Sequence, residues 1–165
     1  MHHRFEPTHY FNTFGTHPSA LCIKPGDTVS TTSLDSTGHD ASGEQVGAWG
    51  NPVTGPFYIE GAEPGDVLVV HLERITPNRT RSYSGCGLAA NVLDPDYSPE
   101  KQRFYVEAVW LIDAERKSAT LDHPKVWFDP FTLELEPMLG SIGVAPPFGQ
   151  ALSTGTSGRH GGNMD

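Results

Sequence analysis

Apolar and polar residues alternate most regularly between residues 103 and 113. Phe104, Val106, Ala108, Trp110 and Ile112 fall on one face there, and Arg103, Tyr105, Glu107 and Asp113 on the other. This spacing predicts a half-buried strand. Residues 66–75 predict a second one, with Leu68, Val70 and Leu72 on one face and Val67, Val69, His71 and Glu73 on the other. Shorter runs at 20–23, 28–34, 57–60, 118–121 and 132–136, most of them bounded by Gly, Pro or Asp, predict further strands. No 3.6-residue stripe persists anywhere, and residues 98–103 offer at most one helical turn. Many short strands divided by turn residues favour an all-β chain, a β-sandwich or jelly-roll-like fold with little helix, over a parallel α/β sheet.

Composition supports this expectation. The chain carries 18 Gly and 14 Pro in 165 residues, and each Pro inside a helix costs about 3 kcal/mol. With 36% hydrophobic residues it still has the means to build a core, which argues against wholesale disorder. A net charge of −9 makes a nucleic-acid partner unexpected. No apolar run approaches the ~18 residues of a membrane span, and the opening MHHRFEP has no apolar leader or cleavage site, so a soluble, cytoplasmic protein is expected. Cys22 and Cys86 lack any CxxC spacing and are expected to be buried or incidental thiols. The expected organisation is an N-terminal lead-in over 1–16, a β-sandwich domain over 17–148 and a Gly-rich loop over 149–165 that ends without a closing strand.

A short repeat places Pro-Gly-Asp before a predicted strand twice, at 25–27 and 64–66. Pro presets φ at the second turn position, Gly accepts a positive φ at the third, and Asp can bond back to the backbone. Both are expected to be turns rather than catalytic sites.

Two stretches could carry chemistry. In SLDSTGHDASGE (33–44), Asp35, Asp40 and Glu44 accompany His39 at the end of a predicted strand. Oxygen and nitrogen donors of this kind suit zinc or a harder divalent ion. The same letters also make a polar turn whose Asp side chains cap backbone N–H groups. In GRHGGNMD (158–165), the glycines let the chain fold tightly enough to turn His160 and Asp165 toward one ion, while Asn163 could hydrogen-bond a substrate carbonyl or a water. A flexible tail with a chance histidine is the alternative. His71 beside Glu73 could form a general-base pair, although an exposed sheet face explains them as well. His9 and His17 sit among aromatic residues, where packing accounts for them. Serine-hydrolase elbow, zincin and P-loop motifs are absent.

The block GNPVTGPFYIEGAEPGD (50–66) resembles the acetamidase/formamidase family, as do GSIGVAPP (140–147) and HGGNMD (160–165), which follow in the family's order. The resemblance runs from about His17 to the last residue. It implies a metal-assisted hydrolase on a β-sandwich scaffold that cleaves short linear amides such as formamide or acetamide to ammonia and a carboxylate. It places Asp35, His160, Asn163 and Asp165 at the site. From their chemistry, Asp35, His160 and Asp165 are expected to hold a divalent metal, with zinc the first choice, and Asn163 to serve catalysis. Glu44 is a candidate proton donor to the leaving nitrogen. The family's chains continue past HGGNMD into a second half with a GDxHxxxGDGE-like segment. The sequence therefore resembles an N-terminal half, and low activity is expected of it alone. Expected partners are a small amide substrate and a second copy or a complementary C-terminal half, with neither nucleic acid nor membrane. The alternative is a non-catalytic β-sandwich binding a small ligand or a partner chain at an open sheet edge.

Overall fold

The computed structural model describes residues 1–85, 107–122, 130–154 and 161–163. Among these the chain is all-β, with no helix. Its strands are β1 (His2–Arg4), β2 (Tyr10–Phe11), β3 (Thr13–Gly15), β4 (Leu21–Ile23), β5 (Thr28–Ser30), β6 (Val53–Thr54) and β7 (Phe57–Ile59). There follow β8 (Arg81–Gly85), β9 (Glu107–Asp113), β10 (Ser118–Leu121), β11 (Thr132–Glu134), β12 (Ser141–Gly143), β13 (Gln150–Leu152) and β14 (Gly161–Asn163). The chain divides into two units, Met1–Ile75 with Met138–Asp165, and Thr76–Pro137.

The second unit holds an antiparallel sheet of order β11-β10-β9-β8. Its central strand, β9, is the described part of the strongest sequence alternation; residues 103–106 lie outside the described residues. Ala108, Trp110 and Ile112 are half-buried, but so are Val109 and Asp113 on the other face, where Leu111 is exposed, so burial does not alternate along the strand as the sequence pattern predicts. The Trp110 indole donates to Ser84 Oγ at 2.9 Å and lies against Phe131 with ring centres 6.1 Å apart. The indole's one N–H is thereby partnered.

The first unit is built from paired short strands. β2 pairs with β6, β3 with β13 and β12 with β14, all antiparallel, while β1 with β5 and β4 with β7 are parallel. Parallel pairs were not expected. They need long connections, and in both cases the intervening chain supplies one. Phe5 and Phe57 meet edge to face at 5.2 Å, and Phe11 stacks on the His17 ring at 3.8 Å, the aromatic packing expected for His17. Among the described residues no hydrophobic side chain is buried, and Ser153 is fully enclosed. The expected buried thiol is not found at Cys22, which is exposed and directs its Sγ toward Glu60 Oε1 at 3.6 Å; Cys86 lies outside the described residues.

Both Pro-Gly-Asp turns form as expected. Asp27 N donates to Lys24 O and Lys24 N to Asp27 Oδ2, with Gly26 at φ 86°. Asp66 N donates to Glu63 O and Glu63 N to Asp66 Oδ2, with Gly65 at φ 106°. Their sequels differ. The first turn feeds β5, which pairs with β1, but the strand expected over 66–75 is absent and the chain runs there without joining a sheet. Alternation states which side chains suit a sheet surface; it does not supply the neighbouring backbone that makes one.

Asp27 also ties β1 to its turn, because its carboxylate takes the chain's terminal amine on one oxygen and His3 Nε2, at 2.8 Å, on the other. The amine, His3 and the Lys24 N–H hold this carboxyl well below the ordinary carboxylate range. A carboxyl depressed in the fold stabilises it above its unfolded value of about 3.9 and loses that contribution as pH falls toward the folded value. Asp27→Asn should therefore flatten the acid limb of the urea midpoint between about pH 4 and pH 2. An unchanged limb would show that these bonds contribute nothing to folding.

Candidate functional site

The residues from 35 to 44 form two copies of one small loop. In the first, Asp35 Oδ1 accepts from Thr37 N at 3.0 Å, Thr37 Oγ1 at 2.8 Å and His39 N at 2.9 Å. In the second, Asp40 Oδ1 accepts from Ser42 N at 2.8 Å, Ser42 Oγ at 2.6 Å and Glu44 N at 3.2 Å. Each is closed by a glycine N–H, Gly38 to Asp35 O and Gly43 to Asp40 O, with φ at 90° and 85°. The letters D-x-[ST]-G-x repeat accordingly, because an Asp acceptor, a hydroxyl two residues on and a left-handed Gly are what such a loop needs. The capping role weighed from the sequence is thus realised in both aspartates. The Ser42 hydroxyl, joined by the backbone N–H groups of Glu44, Ser42 and Gly43, lowers the Asp40 carboxyl against an opposing desolvation. Burial, then the charge on Asp40, raises the Tyr10 phenol.

The first loop also holds His39. Its Nδ1 lies 2.7 Å from Thr37 Oγ1 and 3.6 Å from Asp35 Oδ1, with the Asp35 side chain about a quarter exposed. Carboxylate, hydroxyl and imidazole are thereby fixed on one another, so the orientation of Asp35 is set locally.

This loop is docked onto the first family-like block. Gly38 O accepts from Val46 N and Gly47 N, and Ser36 O accepts from Gly50 N at 3.1 Å and Asn51 N at 2.9 Å. A side chain at Gly38 would collide with the Gly47 carbonyl, so the two backbones touch because position 38 is glycine. The opposite side of the 48–51 backbone is held by two polar side chains. Asn12 Nδ2 reaches the carbonyls of Ala48, Trp49 and Gly50 at 3.4, 3.0 and 2.8 Å. Ser153 Oγ donates to Asn51 O at 2.6 Å and lies 3.3 Å from Gly50 O, while Ser153 N donates to Asn12 O at 3.0 Å. A continuous hydrogen-bonded path thus runs from Asp35 through Ser36, residues 50–51 and Ser153 to the start of the Gly-rich tail.

Asp35 therefore sits where the path begins. Glu44 enters the second loop through its backbone and its side chain is exposed. Asn163 is the last residue of β14, paired with Ser141 of β12, which brings the IGVAP-like and HGGNMD-like blocks side by side. His160 and Asp165 lie outside the described residues. Among the described residues no group of three or more His, Cys, Asp and Glu side chains gathers to hold a metal. The expected set of Asp35, His160 and Asp165 suits zinc by donor type, and of its members Asp35 is the one described. Asn12 and Ser153 were missed from the sequence. The doubled D-x-[ST]-G-x pattern was visible in the letters, whereas nothing local marks Asn12 or Ser153 as partners. No helix is long and apolar enough to cross a membrane among the described residues.

A family model described as the Acetamidase/Formamidase family matches residues 9–149. A Schizosaccharomyces pombe protein that carries formamidase as a provisional name is 41% identical over 78 residues, a match covering 41% of this chain and 19% of that one. The matched stretch is thus a minor part of that relative's length. No solved structure matches the chain.

Removing the Ser153 hydroxyl strips a donor from enclosed carbonyls, which costs about 1–3 kcal/mol. Ser153→Ala should lower the urea midpoint accordingly. Asn12→Ala should do the same, and the double variant should lose more than the sum, because either side chain alone still partners Gly50 O. Strict additivity would mean that the two act on independent features.

Proposed function

The chain belongs to the acetamidase/formamidase family, and from that premise we propose that it acts on carbon–nitrogen bonds of short linear amides, turning formamide or acetamide into ammonia and a carboxylate. The observation that carries this reading is the path from the Asp35 loop through the GNPVTGP block to Ser153. It supports the reading by joining the Asp35 loop to the first residues of that block and to the start of the Gly-rich tail.

In this reading Asp35, His160 and Asp165 hold a zinc ion. Zinc bound there would polarise the amide carbonyl and lower the pKa of a water. The chain's own residues do the rest. Thr37 and the His39 N–H fix one oxygen of Asp35, so the carboxylate is oriented before any substrate arrives. Asn163 has an amide that can donate to the substrate carbonyl or accept from its NH2 group. The leaving nitrogen must be protonated, because an amide anion is too basic to depart, and Glu44 is assigned that proton. The named relative is called a formamidase, which supports the choice of substrate class.

The purified protein should retain about one zinc per chain and release ammonia from formamide or acetamide, and a chelator should abolish that release. Asp35→Asn keeps an oxygen to cap the loop but removes the charge, so it should lower both zinc content and turnover by about tenfold or more. Ammonia release from neither amide, by the chain alone or together with the second half of a longer family member, would sink the hydrolase reading. Turnover indifferent to chelator would remove the metal while leaving the amidase.

A further inference from the structure

Every residue from 61 to 74 is exposed, and the stretch includes an apolar run. Val67 and Val69 are 87% and 85% exposed, and Leu68, Val70 and Leu72 are 46%, 49% and 47% exposed. Among the described residues no hydrogen bond engages the backbone of residues 67–74. The turn at 63–66 that launches this stretch is a duplicate of the one at 24–27, whose following strand is paired. The segment is thus delivered as a strand is delivered, with apolar side chains on both faces and no bond to its main chain among the described residues. Such an edge is a template for pairing with another chain.

We propose that residues 66–74 of two copies of this chain pair as antiparallel strands across a two-fold axis at Val70. The charges select that register. With Val70 opposite its own copy, Leu68 faces Leu72 twice and Asp66 faces Arg74 twice, all on one face of the ribbon. A two-fold interface repeats every contact in this way. An apolar centre of Leu, Val and Leu is then closed at both ends by opposite charges. Sliding by one residue in one direction places Asp66 against Glu73, like against like, and in the other places Asp66 against Ile75, so both neighbouring registers forfeit the attraction. On the second face Val69 meets His71 and Val67 meets Glu73, leaving the polar groups at the margins. The net charge of −9 opposes association in general, which makes the two local Asp66–Arg74 pairs the feature that distinguishes this contact from random encounter. The pairing is independent of the hydrolase reading.

Sedimentation equilibrium of the full chain over a wide concentration range tests this. A monomer–dimer equilibrium is expected. Asp66→Arg or Arg74→Asp alone should weaken the dimer roughly tenfold or more, because two attractive pairs become two repulsive ones. Asp66 also caps its own turn, so the Asp66→Arg chain alone does not separate a lost turn from a lost partner. Mixing the two single variants does, since unlike copies then present opposite charges at both ends while each chain's own turn stays as it was. A mixed dimer stronger than either variant's self-dimer supports the proposal. A monomer at all concentrations overturns it, as does a dimer whose strength ignores both substitutions, or mixing without gain. Saturable capture of a different strand, such as a segment of a longer relative, without self-association would assign this edge to that occupant instead.

Discussion

The first unit depends on satisfying a run of carbonyls that have no strand beside them. Residues 48–51 turn sharply, with Gly50 at φ 109° and Asn51 at φ 57°, so their C=O groups point away from any ladder. Asn12 and Ser153 provide the missing donors from chain segments far apart in sequence. Of these carbonyls, those of Gly50 and Asn51 are half-buried, where a partner counts for more than it does in full solvent. These bonds therefore set where β3, β13 and the 48–51 turn lie relative to one another. The Asp35 loop, which hangs on Ser36 O, inherits its position from the same arrangement.

The rest of the described chain relies on similar means. With no hydrophobic side chain buried among the described residues, its short strands are held by main-chain bonds, a few aromatic contacts and polar side chains that reach backbone. Directional bonds of this type fix geometry closely but contribute modest net stability each. The orientation of the Asp35 carboxylate is fixed by bonds of this kind, from Thr37 and the His39 N–H.

Legibility in the sequence followed the range of the interaction. The Pro-Gly-Asp turns were readable because Lys24, Gly26 and Asp27 close on themselves, and β10 was readable because its four residues lie between turn residues. The all-β class followed from the same signals. β1, β2, β3 and β6 were not expected; β4, β5, β7 and β11 are as short, but turn residues beside them marked their places. The 66–75 segment was misread because side-chain alternation is local while strand pairing is not. At the site, the family-like blocks pointed to Asp35, yet Asn12 among aromatics and Ser153 in a Gly-rich stretch gain their meaning only from residues 48–51. The family resemblance supplied what local pattern could not, namely that segments at 50–66, 140–147 and 160–165 belong to one design.

The twin loops at 35–39 and 40–44 close over five residues each, so almost no chain entropy is spent bringing their ends together. Contacts of such low order form early, before distant segments have met. This corner of the molecule is accordingly a seed rather than a product of the sheets around it. Gly38 O and Ser36 O stand ready as a docking template on which the later-arriving 46–51 backbone finds its register.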